Sequence, residues 1–219
     1  MTNCAKCNAN KCLFGPKNKD PECTMNMYSE SINKAKMIYE TDQQIRAWAR
    51  IAAIVEAEGY CEWPRLKDTI EFAKKMNYHK LGIACCIGLL NEAKELSSIF
   101  NNYGFETHVV MCKTGGLKKS ELDMPQEFQM TSKTGHLIGT ISCNPAAQAF
   151  ILNEVKTEMN IIVGLCVGHD MIFTKLSDAP VTSLIVKDRR LHHNPASILY
   201  THYGRSWVQA DLSKQNKKK

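Results

Sequence analysis

Apolar and polar residues alternate in blocks along this chain, and the blocks predict alternating helices and strands. From residue 65, RLKDTIEFAKKMNYHK puts Leu66, Ile70, Phe72, Ala73 and Met76 at helical spacing and leads into the short apolar run LGIACCI, a strand. GLLNEAKELSSIFNNYG then carries Leu89, Leu90, Ala93, Leu96 and Phe100 on a helical stripe, with Gly104 where a C-cap belongs. FETHVVMC is a second strand ending at Cys112. Such a strand-helix-strand unit favours a parallel pair. Further on, Asn144-Pro145 opens a helix with Pro145 at its first position, and this helix leads into a third strand, IIVGLC. VTSLIVKDR supplies a β-branched fourth strand, and HHNPASILYTHYG begins a last helix. Upstream, helical spacing appears around Ile32, Ala35, Ile38 and Tyr39, and again from an N-cap at Thr41 through Ile45, Trp48 and Val55 to Gly59.

The order strand, helix, strand, loop, helix, strand, strand, helix predicts an α/β fold: a mainly parallel sheet flanked by helices. The expected division is a cysteine-rich metal-binding segment over 1–27, a helical segment packing on the main domain over 28–65, the α/β domain over 66–210, and a basic disordered tail over 211–219. The first segment holds Cys4, Cys7, Cys12 and Cys23 among Gly15, Pro16 and Pro21, without apolar periodicity. It cannot build a core alone. The stretch Lys113 to Gly135 is polar and about twice the length of an ordinary connection, so a functional loop is expected there.

Composition narrows the class. With 44% hydrophobic residues in 219, a substantial core is expected. The net charge of +6 owes part of its excess to Lys214, Lys217, Lys218 and Lys219, a solvated tail and not a nucleic-acid surface. No apolar run approaches the ~20 residues of a membrane span, and the N-terminus lacks a signal-peptide core, so a cytoplasmic protein is expected. Ten cysteines in a reducing compartment point to metal or redox chemistry instead of disulfides.

Two cysteine constellations carry that chemistry. Cys86, Cys112 and Cys166 each end a predicted strand, and Cys143 starts a predicted helix; they lie 26, 31 and 23 residues apart. Each interval is near the ~30 residues of a βαβ unit, so the four thiols recur at one carboxyl edge, where open α/β sheets place their ligands. Four thiolates there suit zinc, copper(I) or an iron–sulfur cluster. The competing reading is four small buried hydrophobes, and for Cys85, between Ala84 and Cys86, packing is the preferred reading. The second constellation, Cys4-x2-Cys7-x4-Cys12-x10-Cys23, has the close pair and missing core of a small zinc site or cluster-binding loop. Cys61 matches neither group.

Around the third and fourth strand ends lie His169, Asp170, Lys187, Asp188, Arg189 and His193. A thiol, an imidazole and an acid in one mouth can form a nucleophilic triad, and KDR can equally be an ion pair ending a strand. KTGG, from Lys113, offers amides that can cradle an anion, but no nucleotide-binding glycine motif occurs.

The segments IEFAKKMNYHKLGIACCIGLLNEAKEL, VVMCKTGGLKK, CNPAAQAFILNE, NIIVGLCVGHDMIF, APVTSLIVKDR and HHNPASILY together resemble an archaeal and bacterial family of unknown function described as cysteine-rich metal-binding proteins. The resemblance runs from about Cys4 to Tyr200 and implies metal binding without a reaction. The family pattern includes the positions of Cys4, Cys7, Cys12, Cys86, Cys112, Cys143 and Cys166. It also includes Gly168, His169, Asp170, Lys187, Asp188, Arg189, His193, Asn194 and Pro195. This chain departs from it at Cys85, where the family has an aromatic residue, and at His192, where it has glycine.

The expectation is therefore a cysteine-ligated metal protein. In the first reading a [4Fe-4S] cluster supports redox or sulfur-group chemistry on a small anionic substrate, with an electron donor protein as partner. The alternatives are zinc storage or sensing without catalysis, and a metal-free cysteine hydrolase.

Overall fold

Two short apolar runs, buried on both faces, set the frame of this molecule. The computed structural model describes residues 4–7, 11–15 and 21–216. The chain divides into two units, Met1–Tyr60 and Cys61–Lys219.

The first unit contains single helical turns at Cys4–Lys6 and Lys11–Phe14, then α1 (Thr24–Met27), α2 (Ser29–Thr41) and α3 (Gln43–Gly59). The α3 cap lies one residue beyond the expected Thr41. Asp42 accepts hydrogen bonds from the amides of Gln44 at 2.9 Å and Ile45 at 3.0 Å, while the Thr41 hydroxyl bonds the Met37 carbonyl. Ile51, Val55 and Gly59 form the buried stripe of α3, and α2 buries no residue. Residues 1–3, 8–10 and 16–20 of the expected metal-binding segment lie outside the described residues.

The second unit runs α4 (Arg65–Lys75), β1 (Lys80–Cys85), α5 (Leu90–Asn102), β2 (Glu106–Met111), α6 (Pro145–Glu154), β3 (Met159–Val163), α7 (His169–Leu176), β4 (Val181–Ile185), α8 (Ser197–Tyr200) and α9 (His202–Asn216). Of the expected C-terminal tail, 217–219 lie outside the described residues, and the backbone of 211–216 continues α9. Among the described residues no helix is long and apolar enough to cross a membrane.

All strand pairs are parallel, in the order β2-β1-β3-β4. Central β1 and β3 are almost wholly buried, as continuous apolar runs in a parallel sheet should be, and edge strands β2 and β4 are more exposed. One helix departs from the expected order: α7 stands between β3 and β4, where a direct strand-to-strand connection was expected. Parallel pairing of β3 with β4 requires such a crossover.

Period-two alternation sorts the core into two layers. Leu81, Ile83 and Cys85 of β1, with Met159, Ile161 and Val163 of β3, pack with Ile70 and Ala73 of α4 and Ala93, Leu96 and Phe100 of α5. Ala84, Cys86, Val110, Cys112 and Ile162 pack on the other face with Ala149 and Leu152 of α6 and Phe173 of α7. Each fully buried Leu, Ile or Phe side chain stabilises the fold by roughly 1.5–3 kcal/mol. The chain winds outward from β1 to β2 and, in the other direction, from β3 to β4. The reversal falls between β1 and β3, and ligands bind outside the carboxyl ends at such a point.

Candidate functional site

Parity along β1 decides which of its adjacent thiols faces the edge site. Cys85 closes the strand on the α5 side, fully buried, and burial pushes its thiol up to about 11. It is a packing residue. Cys86, one step later, turns to the α6 side beside Cys112, which directly follows β2.

Cys86, Cys112 and Cys143 touch in series, and Cys166 lies within electrostatic reach of Cys143. Cys112 Sγ lies 3.4 Å from Cys143 Sγ and accepts a hydrogen bond from the Ile87 amide at 3.3 Å. Cys86 Sγ contacts Cys112 and accepts from the Gly88 amide at 3.4 Å and from Lys187 Nζ. Cys143 feels the charges of both Cys86 and Cys166. Cys86 and Cys112 are buried; Cys143 and Cys166 are half-buried.

The helix start predicted at Asn144-Pro145 positions Cys143. The Asn144 amide donates to the Cys112 carbonyl at 2.8 Å, its side chain caps the Ala147 amide at 2.9 Å, and its Nδ2 donates to the Gly115 carbonyl at 2.7 Å. The start of α6 is thereby tied to the end of β2. Gly164, after β3, has φ +70°, and a Cβ there would stand 1.9 Å from Leu89 Cδ1. Only glycine lets the chain turn toward Cys166 against that side chain.

The thiols divide into proton holders and charge holders. Cys86 is pushed up to about 12 because it donates to Cys112 and is buried. Cys112 is raised by its hydrogen bond with Cys143 and by burial. Cys143, sharing that hydrogen bond and facing the Lys113 ammonium, falls to about 7. Cys166 also falls to about 7, through hydrogen bonds from His169 and Arg189 and the nearby Lys187 charge. The more acidic sulfurs of the site are therefore the two half-buried ones, which begin to ionise around neutral pH.

The KDR segment is not an ion pair. It lies beyond β4, which ends at Ile185, four residues before the expected Arg189. Lys187 and Arg189 point to the thiols, with Arg189 Nη2 at 3.2 Å from Cys166 Sγ. Asp188 faces its own loop, accepting the amides of Arg190 at 2.9 Å and Leu191 at 2.8 Å. His193 Nδ1 accepts the Asp188 amide at 3.1 Å, and the His193 amide donates to the Asp188 carbonyl at 2.9 Å. His192 and His193 both adopt left-handed φ, 49° and 63°, a cost of roughly 1–2 kcal/mol each, and at His193 the two bonds to Asp188 help to offset it. His193 thus holds the loop that presents Lys187 and Arg189.

Other candidates are placed differently. Asp170 accepts from the amides of Gly168 at 2.9 Å and Met171 at 2.8 Å, so its carboxylate is held by backbone in the first turn of α7 and does not orient His169. In the KTGG segment the amides of Thr114 and Gly116 are occupied by the turn, and a Cβ on Gly116 would stand 2.7 Å from the Ser142 carbonyl oxygen. Cys4, Cys7 and Cys12 are exposed, and Cys23 is half-buried before α1; Cys4 Sγ donates to Thr24 Oγ1 at 3.4 Å. Cys61 is exposed, with a left-handed φ of 60° just past α3. Among the described residues, no group of three or more His, Cys, Asp or Glu side chains is placed so that it could hold a metal ion.

Sequence reasoning missed two contributors. Lys113 belongs to the site through its charge on Cys143 and its hydrogen bond to the Ile141 carbonyl. Gln148, fully buried, bridges the ends of β1 and β2 by donating to the carbonyls of Cys85 at 3.2 Å and Val110 at 2.6 Å. A lone glutamine amid the apolar residues of AAQAFIL was its available signal.

Residues 23–184 match the family described as "Protein of unknown function (DUF1847)". The chain is also similar to the uncharacterized protein MJ0455 of Methanocaldococcus jannaschii, 41% identical over 200 residues that span 91% of this chain and 94% of that protein.

Proposed function

The chain belongs to the DUF1847 family of proteins of unknown function, and on that premise we propose that it is a thiolate-ligated metal protein. Cys86, Cys112, Cys143 and Cys166 would hold an iron–sulfur cluster of the [4Fe-4S] kind at the carboxyl edge of the sheet. The observation supporting this reading is the series of contacts among Cys86, Cys112 and Cys143 from separate chain segments, with Cys166 in electrostatic reach and Lys187 and Arg189 directed at two of the sulfurs.

The donor set fits a soft centre. It is all sulfur at the ligand positions, two of its members lose their protons near pH 7, and basic groups balance the resulting charge. Two of the thiols remain half-exposed, unlike the closed surroundings of a purely structural zinc ion. When bound, a cluster of this kind supplies electron transfer or sulfur-group chemistry. The chain's own part is to hold the thiolates, and hydrogen bonds to sulfur are among the levers that set a cluster's potential. Lys187 and Arg189, with His169 beside them, would surround a small anionic substrate, and His193 positions the loop bearing the first two. A redox reaction would draw electrons from a donor protein.

The separation of 3.4 Å between two of the sulfurs favours a second reading. A tetrahedral zinc with ~2.3 Å bonds spaces its thiolates by about 3.8 Å, closer than a cluster does. Zinc storage or sensing needs no substrate. The hydrolase reading rests on the Cys166–His169 hydrogen bond and lacks an acid to orient the histidine, since Asp170 is engaged elsewhere.

Anaerobic purification with iron, sulfide and zinc analysis and a visible spectrum separates these readings. A brown protein with about four irons per edge site is expected. Colourless protein with stoichiometric zinc supports the second reading. Absence of both metals, with activity surviving Cys86→Ser and Cys112→Ser, supports the hydrolase.

A further inference from the structure

We infer that Cys112 and Cys143 are a built-in site of oxidative modification: in the metal-free protein they close into an intramolecular disulfide, while Cys166 retains a mixed disulfide. The asymmetry follows from which half-buried thiol has a second thiol beside it. Cys143 Sγ lies 3.4 Å from Cys112 Sγ, so the pair needs an approach of about 1.4 Å to reach the ~2.05 Å bond. Their backbones are already pinned, because the Asn144 amide, one peptide bond from Cys143, donates to the Cys112 carbonyl at 2.8 Å. Cys166 differs: the contacts of its sulfur among the described residues are Arg189 and His169, neither of which can resolve a mixed disulfide.

Access sets the order of events. Cys112 is 2% exposed and Cys86 4%, whereas Cys143 is reachable from solvent. The Cys143 thiolate attacks a low-molecular-weight disulfide, forming a mixed disulfide and releasing one small thiolate. Cys112 then gives up its proton and attacks the Cys143 sulfur, displacing the second small thiolate. Two cysteines are oxidised by two electrons, one small disulfide is reduced to two thiols, and the two protons end on those thiols. Cys86 is a poorer resolving partner for this adduct, since its sulfur touches Cys112 and reaches Cys143 only through its charge, whereas Cys112 Sγ touches Cys143 Sγ.

The consequence for metal loading rests on the proposed ligand set: the cross-linked form loses two of four ligands and should take up no metal at the edge until reduced. Trypsin releases the four thiols on separate peptides, 81–94, 95–113, 134–156 and 157–175, so the pattern is directly readable.

Metal-free, reduced full-length protein is treated with excess oxidised glutathione under argon, quenched with acid over time, and mapped without reduction by mass spectrometry. Expected are a transient glutathione adduct on Cys143, then 95–113 joined to 134–156, with glutathione persisting on Cys166. Cys112→Ala should leave glutathione on Cys143. Persistent glutathione on wild-type Cys143, or 134–156 joined to 81–94 or 157–175, overturns the inference. Zinc uptake by the reduced and cross-linked forms is measured in parallel. Cross-linking in a protein whose reduced form binds neither zinc nor iron sinks the proposed ligand set and leaves this inference standing; metal binding without a cross-link does the reverse.

Discussion

The two cysteine groups of this protein are built in opposite ways. The N-terminal four fall within 20 residues of one another in sequence, on short turns, and three of them are exposed. The edge four span 80 residues and meet because a parallel sheet returns its strands to one side. A close motif advertises itself in sequence but gains little from the fold. A dispersed one shows in sequence only as a recurrence near the length of a βαβ unit, and it inherits burial and charged neighbours from the elements carrying it.

The largest test of that contrast is metal content. Cys143→Ser should abolish metal at the edge site and any visible absorption. Cys4→Ser with Cys7→Ser should leave that absorption unchanged and remove at most one zinc, measured by metal analysis. Loss of both signals in the second variant would merge the two groups into one site. Next is thiol reactivity in the metal-free protein. Thiolate forms as pH rises through the pKa, so alkylation of Cys143 and Cys166 by iodoacetamide should climb through about pH 7, whereas Cys85 needs a pH near 11. At pH 8 thiolate fractions alone favour the first two by ~10³-fold over Cys85. Third, Gly164→Ala should destabilise the sheet unit by ~3 kcal/mol in urea unfolding, from left-handed strain and the Leu89 clash. The smallest effect belongs to Arg189→Met, which removes one of several groups stabilising the Cys166 thiolate. Its alkylation midpoint should rise by about 1 pH unit, and an unchanged midpoint would remove Arg189 from the site.

Much of the fold was legible because buried strands and amphipathic helices leave strong patterns. LGIACCI and IIVGLC read as strands since both faces of β1 and β3 are covered, although β3 ends at Val163, three residues before Cys166; Asn144-Pro145 marked the start of α6 through a cap that the fold uses. The helix α7 was missed for a physical reason. It has eight residues, starts at Gly168 with no side-chain cap, and buries only Phe173, so neither end nor face gave a signal. The shift of the α3 cap from Thr41 to Asp42 has a similar cause: two capping residues stand side by side, and which one turns inward depends on the preceding helix. At the edge site, the spacing of the four thiols was readable and their neighbours were not. Nothing in KDR indicates that Lys187 and Arg189 face sulfur while Asp188 faces its own loop.

The sequence by itself determined the α/β class, the parallel sheet and the recurrence of a thiol near each of three strand ends. Local patterns suffice there, because burial periodicity and crossover length are properties of the chain. Only the tertiary structure decided that Cys86 faces the site and Cys85 the core, that Cys112 and Cys143 touch, and that Cys143 and Cys166 carry the charge. Those outcomes depend on strand parity, on the tie between β2 and α6, and on cations arriving from a loop past residue 185. No run of neighbouring residues encodes them.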